Sequence, residues 1–194
     1  MIDIDEYLVL LDEDGEEQEE KKQENYQREL FEEYILRSQD NWKERQELAR
    51  LYKDGAALTG PKGLRKRLAA IDLGYFGRAY LKHYFVRKSP QFHEELDAIW
   101  TKGVLKSRNP YREAVEISRM DGSKSVVAAP RGHAKSTNFT FKDSLHAALY
   151  RYKHYIIILS DSSDQAEGFL TDIKTELEEN QDIREDFGKQ QGKV

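Results

Sequence analysis

The segment from Ser125 to Thr137 constrains the fold more than any other part of this 194-residue chain. Residues 126–128 are apolar and predict a buried strand, and the proline and glycine that follow predict a tight loop. Residues 135–137 open a stretch with helical periodicity, and the continuously apolar run 155–159 predicts a second strand, covered on both faces. Strand, loop, helix and strand in this order predict an α/β fold.

The loop carries residues suited to phosphate binding. In nucleotide-binding loops that end in lysine and serine, backbone N–H groups hold the phosphates, the lysine contacts the β and γ oxygens and the hydroxyl ligates the metal. A lysine in the first turn of a helix is unfavourable unless an anion is near, and Arg131 adds a second cation. However, Ala129 and Ala134 replace the two glycines of the usual motif, and an ordinary strand–turn–helix with a solvated Lys135 is the alternative interpretation.

The sequence Ala-Pro-Arg-Gly-His-Ala-Lys-Ser-Thr at residues 129–137 resembles the deviant ATP-binding loop of the large subunit of tailed-bacteriophage terminases, the motors that pump DNA into capsids. The arginine four residues before the lysine carries the resemblance, and residues 155–166 are similar to the strand and helix start that follow in that family. The resemblance covers residues 89–194. It implies an α/β fold with an incomplete P-loop NTPase core of the ASCE or RecA-like type, preceded by an α-helical N-terminal region.

The resemblance also implies ATP and Mg²⁺ as cofactors and assigns roles to residues. Lys135 and Arg131 are the expected catalytic residues, because they would stabilise the phosphates and the charge that develops on them, and Ser136 is the expected metal ligand. The expected nucleotide-binding residues are Pro130, Arg131, Gly132, His133, Ala134, Lys135, Ser136, Thr137 and Gln91. Gln91 or Phe92 is expected at the adenine, and the methyl group of Ala134 is expected to lower the affinity.

No apolar strand that ends in Asp or Glu follows Leu159, although a P-loop ATPase needs such a carboxylate at its metal site. In terminases that motif and the nuclease domain come later. We therefore expect the chain to be the N-terminal part of a large subunit, with weak ATP binding at best and no ATP turnover alone. The complete motor would act with double-stranded viral DNA, the portal protein and the small terminase subunit, as a homo-oligomeric ring in the host bacterial cytoplasm, without a membrane.

Two other functions fit the same pattern. The chain could belong to a different P-loop DNA motor or helicase, or it could be a non-enzymatic helical interaction module in which the loop is vestigial.

The part of the chain before residue 111 is predicted to be helical. Residues 1–24 carry eleven carboxylates and two lysines in a chain of net charge −5, so we expect an acidic, disordered arm there. Apolar residues at helical spacing predict one long helix or two shorter ones in 25–53, and a further helix in 64–80. The resulting division is an acidic arm 1–24, an α-helical lead-in 25–110 and an incomplete ATPase domain 111–194.

Shorter signals complete the prediction. Ser89 and Pro90 predict a helix start. Ser162 and Gln165 predict a capping box for a helix that ends near Asn180. Alternating apolar and polar residues from residue 115 predict a hairpin before the loop.

The basic stretch 62–88 could contact a DNA backbone or could form a solvated helix face; we favour the second, because no base-reading motif occurs. The five histidines are expected on the surface or in loops, without metal-ligand spacing, and no apolar run is long enough to span a membrane.

Overall fold

The computed structural model describes residues 4–38, 40–103, 124–128, 132, 134–153 and 155–190. These residues form eight α-helices and one π-helical segment. The α-helices are α1 (Ile4–Ile35), α2 (Trp42–Lys53), α3 (Leu64–Ile71), α4 (Leu73–Tyr80), α5 (Gln91–Gly103), α6 (Ser144–Leu149), α7 (Ser163–Glu179) and α8 (Gln181–Phe187). The π-helical segment (Ser136–Asp143) runs directly into α6, and we call the two together the loop helix.

The prediction of an α/β fold with a P-loop NTPase core is wrong, because the described residues are helical and contain no β-strand. Residues 126–128 and 155–159, where strands were predicted, have irregular backbone without ladder hydrogen bonds. Val126, Tyr155 and Leu159 are 97%, 82% and 89% exposed. An apolar run favours a strand, but a strand forms only where a second strand offers its backbone groups, and the described residues offer none here.

The run 155–159 nevertheless has one face on the core. Ile156 and Ile158 are partly buried and pack against the core, whereas Tyr155, Ile157 and Leu159 are exposed. The prediction that this run is covered on both faces is therefore wrong, and the helices cover one face only.

The core lies between α1, α3, α4 and the loop helix. Phe31 and Tyr34 of α1 are fully buried, and their rings contact Tyr75 of α4 at centroid distances of 6.2 and 5.7 Å. On the other side of α4, the ring of Phe76 meets His146 of α6 at 4.9 Å in an edge-to-face arrangement. These ring contacts fix the loop helix against α4, since each large ring buries much apolar surface.

The helices differ from the sequence prediction at Asp72. Asp72 has an extended backbone and separates α3 from α4, where a single helix was predicted. Its carboxylate accepts hydrogen bonds from the backbone N–H of Tyr75 at 2.8 Å and from Arg45 Nη2 at 2.7 Å. Asp72 therefore caps α4 and binds a buried arginine, and this double role explains the break.

Two other helix predictions concern the N-terminal half. The stretch 25–53 forms the end of α1 and the whole of α2, which is the two-helix alternative. The backbone of α1 is helical from Ile4, whereas a disordered arm was expected for residues 1–24.

An ion-pair cluster holds α8 against α3 and α4. Arg65 Nε lies 2.7 Å from Asp186 Oδ2, and Arg65 Nη1 lies 2.8 Å from Asp182 Oδ1. The hydroxyl of Tyr80 donates to the same Asp186 oxygen, and the backbone N–H of Gly60 donates to the other at 2.6 Å. The cluster is buried and joins the second half of the chain to the first.

In the part of the chain that the structure describes, every helix is too short or too polar to cross a lipid bilayer.

Candidate functional site

The two described residues of the loop before the loop helix both have a positive φ. Gly132 has a φ of +80° and Ala134 a φ of +48°, and both values lie in the left-handed region. Lys135 is right-handed, with φ −60° and ψ −38°. Successive residues of opposite hand turn their N–H groups to one side and form a concavity that suits an anion. Ala134, which stands where a glycine was expected, thus adopts the backbone that glycine adopts without strain.

The loop helix begins at Ser136, with Lys135 as its N-cap residue. Its first hydrogen bond runs from the N–H of Asn138 to the carbonyl of Ala134 at 2.9 Å. Ser136 is exposed, and Lys135 and Thr137 are half-buried. The first turn contains no acidic residue, and the helix dipole favours an anion at the N-terminal end.

Pro130, Arg131 and His133 lie outside the described residues, so their predicted roles stay predictions. Gln91, the candidate for adenine, lies exposed in the first turn of α5 and donates from Nε2 to Glu95 Oε1 at 3.2 Å on the same helix.

The loop helix is anchored by buried polar side chains that the sequence analysis did not identify. The carboxylate of Asp97 in α5 accepts a hydrogen bond from Asn138 Nδ2 at 3.0 Å and from Lys142 Nζ at 2.6 Å. All three side chains are buried. A signal was present, because Asn138 and Lys142 lie on the same face as the apolar residues Phe141 and Leu145 of the loop helix.

Burial changes the protonation of two further groups in the loop helix. It raises the pKa of the Asp143 carboxyl well above its usual range, although Lys142, whose Nζ lies 3.5 Å away, acts in the opposite direction. It also lowers the pKa of His146 to about 3, although the hydrogen bond of His146 Nε2 to the carbonyl of Ala69 favours the charged form. The expectation that every histidine lies on the surface or in a loop is wrong for His146, which is fully buried among aromatic rings.

Several cations of the basic stretch 62–88 form ion pairs with carboxylates elsewhere in the chain. Arg65 binds the carboxylates of α8, Arg67 binds Glu44 at 2.9 Å, and Arg78 binds Glu33 at 2.9 Å. Lys62, Arg87 and Lys88 are exposed. The stretch therefore has a structural role in addition to any contact with nucleic acid.

Within the described ranges, no group of three or more His, Cys, Asp or Glu side chains is arranged to hold a metal ion.

Comparison with known proteins does not place the chain in a family. No family model, no curated protein and no solved structure matches it. The functional interpretation therefore depends on the residues of the loop and on their position at the start of the loop helix.

Proposed function

We propose that residues 129–137 bind the triphosphate of ATP, and that the chain is the ATP-binding part of a viral DNA-packaging motor similar to the terminase large subunit. In the complete motor, ATP hydrolysis would drive DNA into a procapsid in the bacterial cytoplasm, together with portal protein and small terminase subunit. The proposal concerns the loop and its helix and does not require the α/β core that the described residues lack.

One observation carries this proposal: Ala134, with a left-handed φ of +48°, directly precedes the right-handed Lys135 at the N-terminal end of the loop helix, and Gly132, two residues before Ala134, also has a positive φ. That backbone directs N–H groups toward one place, and Lys135 adds a positive charge there. Maintaining a left-handed alanine costs on the order of 1–2 kcal/mol. Such a cost is typical of a backbone that is shaped for a ligand.

The remaining roles follow from the chemistry of the loop. Lys135 would bind the β and γ phosphate oxygens, and the exposed hydroxyl of Ser136 would ligate Mg²⁺. Arg131 would stabilise the charge that develops on the phosphates, which is the part that arginine plays in phosphoryl transfer.

The helical architecture favours a second candidate function, a non-enzymatic interaction module. Its specific support is the exposed apolar row of Tyr155, Ile157 and Leu159, since apolar side chains in one contiguous patch commonly mark a protein contact. This function requires no nucleotide, so that ATP binding distinguishes the two candidates.

The test is titration calorimetry with Mg²⁺-ATP on the unmodified chain, on Lys135→Ala and on the control Lys174→Ala. Lys174 is an exposed lysine on α7 whose Nζ lies 3.9 Å from Glu178. A charge-assisted hydrogen bond contributes about 2 kcal/mol, so Lys135→Ala should weaken binding roughly 30-fold, whereas Lys174→Ala should bind like the unmodified chain. Equal affinity of the two variants would contradict the proposed loop, and a folded chain that does not bind ATP would favour the interaction module.

A further inference from the structure

The first turn of the loop helix is connected to α5 by a single carboxylate. Asp97 lies in the middle of α5 and accepts from both Asn138 and Lys142, which are four residues apart on one face of the loop helix. Asn138 in turn donates its backbone N–H to Ala134, the last residue of the loop. A chain of hydrogen bonds therefore runs from α5 through Asn138 to the backbone beside Lys135.

The contact is reinforced on both sides. Trp100, three residues after Asp97 on α5, meets the ring of Phe139 at 5.8 Å and 88°. The stem of Lys142 lies against α4, where a Cβ placed on Gly77 would come within 3.1 Å of Lys142 Cδ. A hinge at the loop helix would thus have to break a buried ion pair and two packing contacts together.

Lys142 pairs more closely with Asp97 than with Asp143. Its Nζ lies 2.6 Å from Asp97 Oδ1 and 3.5 Å from Asp143 Oδ1. Burial raises the pKa of the Asp143 carboxyl well above its usual range, whereas the short contact makes Asp97 the main partner of the buried ammonium group. Removing the carboxylate would leave a buried cation without its partner and Asn138 without its acceptor.

We propose that Asp97 is a positioning residue, which holds the first turn of the loop helix and thereby aims Lys135 and Ser136 at the phosphates. Asp97 does not touch the nucleotide. This inference rests on the proposed function, and it assigns to α5 the task of orienting the loop.

The experiment measures two quantities on Asp97→Ala and on the control Glu95→Ala. Glu95 is an exposed carboxylate on the same helix, which contacts Gln91. The first quantity is amide hydrogen exchange of residues 136–142, compared with that of residues 64–80 in the core. The second is the affinity for Mg²⁺-ATP by calorimetry.

For Asp97→Ala we expect faster exchange confined to the loop helix, with the core of α3 and α4 unchanged. We expect ATP affinity to fall by about tenfold, which corresponds to the loss of one hydrogen bond to the phosphates. Glu95→Ala should change neither quantity. Unchanged exchange in the loop helix of Asp97→Ala would overturn the inference.

A second variant separates positioning from stability. Asp97→Leu combined with Lys142→Met replaces the ion pair by apolar side chains, an exchange that often preserves stability, but it leaves Asn138 without its acceptor. We expect this double variant to melt near the unmodified chain and still to show faster exchange at 136–142 and weaker ATP binding. If the folded double variant has the same hydrogen exchange at residues 136–142 and the same ATP affinity as the unmodified chain, Asp97 has no positioning role.

The two readouts also distinguish this inference from the proposed function. If the unmodified chain is folded but does not bind ATP, the proposed function fails, while faster exchange in Asp97→Ala would still establish that Asp97 orders the loop helix. If the chain binds ATP and Asp97→Ala affects neither exchange nor affinity, the loop functions without Asp97.

Discussion

Acid should destabilise this protein through His146. The side chain is fully buried, its Nε2 contacts the carbonyl of Ala69 at 3.0 Å, and its Nδ1 has no hydrogen-bond partner among the described residues. Protonation would place a charge among the rings of Phe76, Tyr150 and Tyr152, near the ammonium group of Lys142. Burial therefore lowers the pKa of His146 from 6.5 to about 3.

The sign of the effect follows from proton binding. Between the folded pKa of about 3 and the unfolded pKa of 6.5, the unfolded chain binds a proton at this position and the folded chain does not. The free energy of unfolding therefore decreases as the pH falls below 6.5, by roughly 1.4 kcal/mol per pH unit until the folded pKa is reached. From about pH 7.5 to about pH 5 the loss is about 2 kcal/mol. This magnitude depends on the unfolded pKa and hardly on the folded one.

Urea denaturation at the two pH values, on the unmodified chain and on His146→Gln, measures this loss. Glutamine is uncharged and its amide can still donate to the carbonyl of Ala69, while all other titrating groups, Asp143 included, are common to both proteins. We expect the unmodified chain to lose about 2 kcal/mol more than the variant between the two pH values. An equal loss in both proteins would refute the reasoning.

Two further predictions concern other parts of the fold. Asp186→Ala should lower the free energy of unfolding, measured in urea, by about 3–5 kcal/mol, because it removes a buried partner of Arg65. The control Glu185→Ala should lower it by less than about 1 kcal/mol, because Glu185 is exposed although its Oε2 lies 2.8 Å from Arg65 Nη2. Similar losses in the two variants would contradict the burial argument. Ala134→Gly should raise the midpoint of thermal unfolding by relieving about 1 kcal/mol of left-handed strain, and it should tighten Mg²⁺-ATP binding; a lower midpoint would mean that the backbone at residue 134 is not strained.

Local signals in the sequence predicted helix ends well. The hydroxyl of Ser162 accepts from the N–H of Gln165 at 3.3 Å, as the capping box predicted, and α7 ends at Glu179. α5 begins at Gln91, one residue later than predicted from Ser89 as N-cap and Pro90 as the first helical residue. These features depend on residues a few positions apart, so that spacing alone specifies them.

The sequence could not predict which distant groups meet. Residues 155–159 have the apolar character of a strand, but whether a strand forms depends on a partner elsewhere in the chain. Asp97 and Lys142 are 45 positions apart, and each alone resembles an ordinary helix charge. For the candidate site, Lys135 and Ser136 lie at a helix start as expected, whereas the anchor under that helix emerges only from the packing of α5.

The ion-pair cluster around Arg65 has a consequence for the order in which the protein can fold during synthesis. Arg65 and Asp186 are 121 positions apart, which corresponds to roughly 6–24 s of translation at typical rates. Until α8 has been synthesised, Arg65 lacks the carboxylates of Asp182 and Asp186 with which it pairs in the folded chain. The pairing of Arg65 and the burial of Ile183 in the core therefore wait for residues 181–187, although most of the core residues are synthesised earlier.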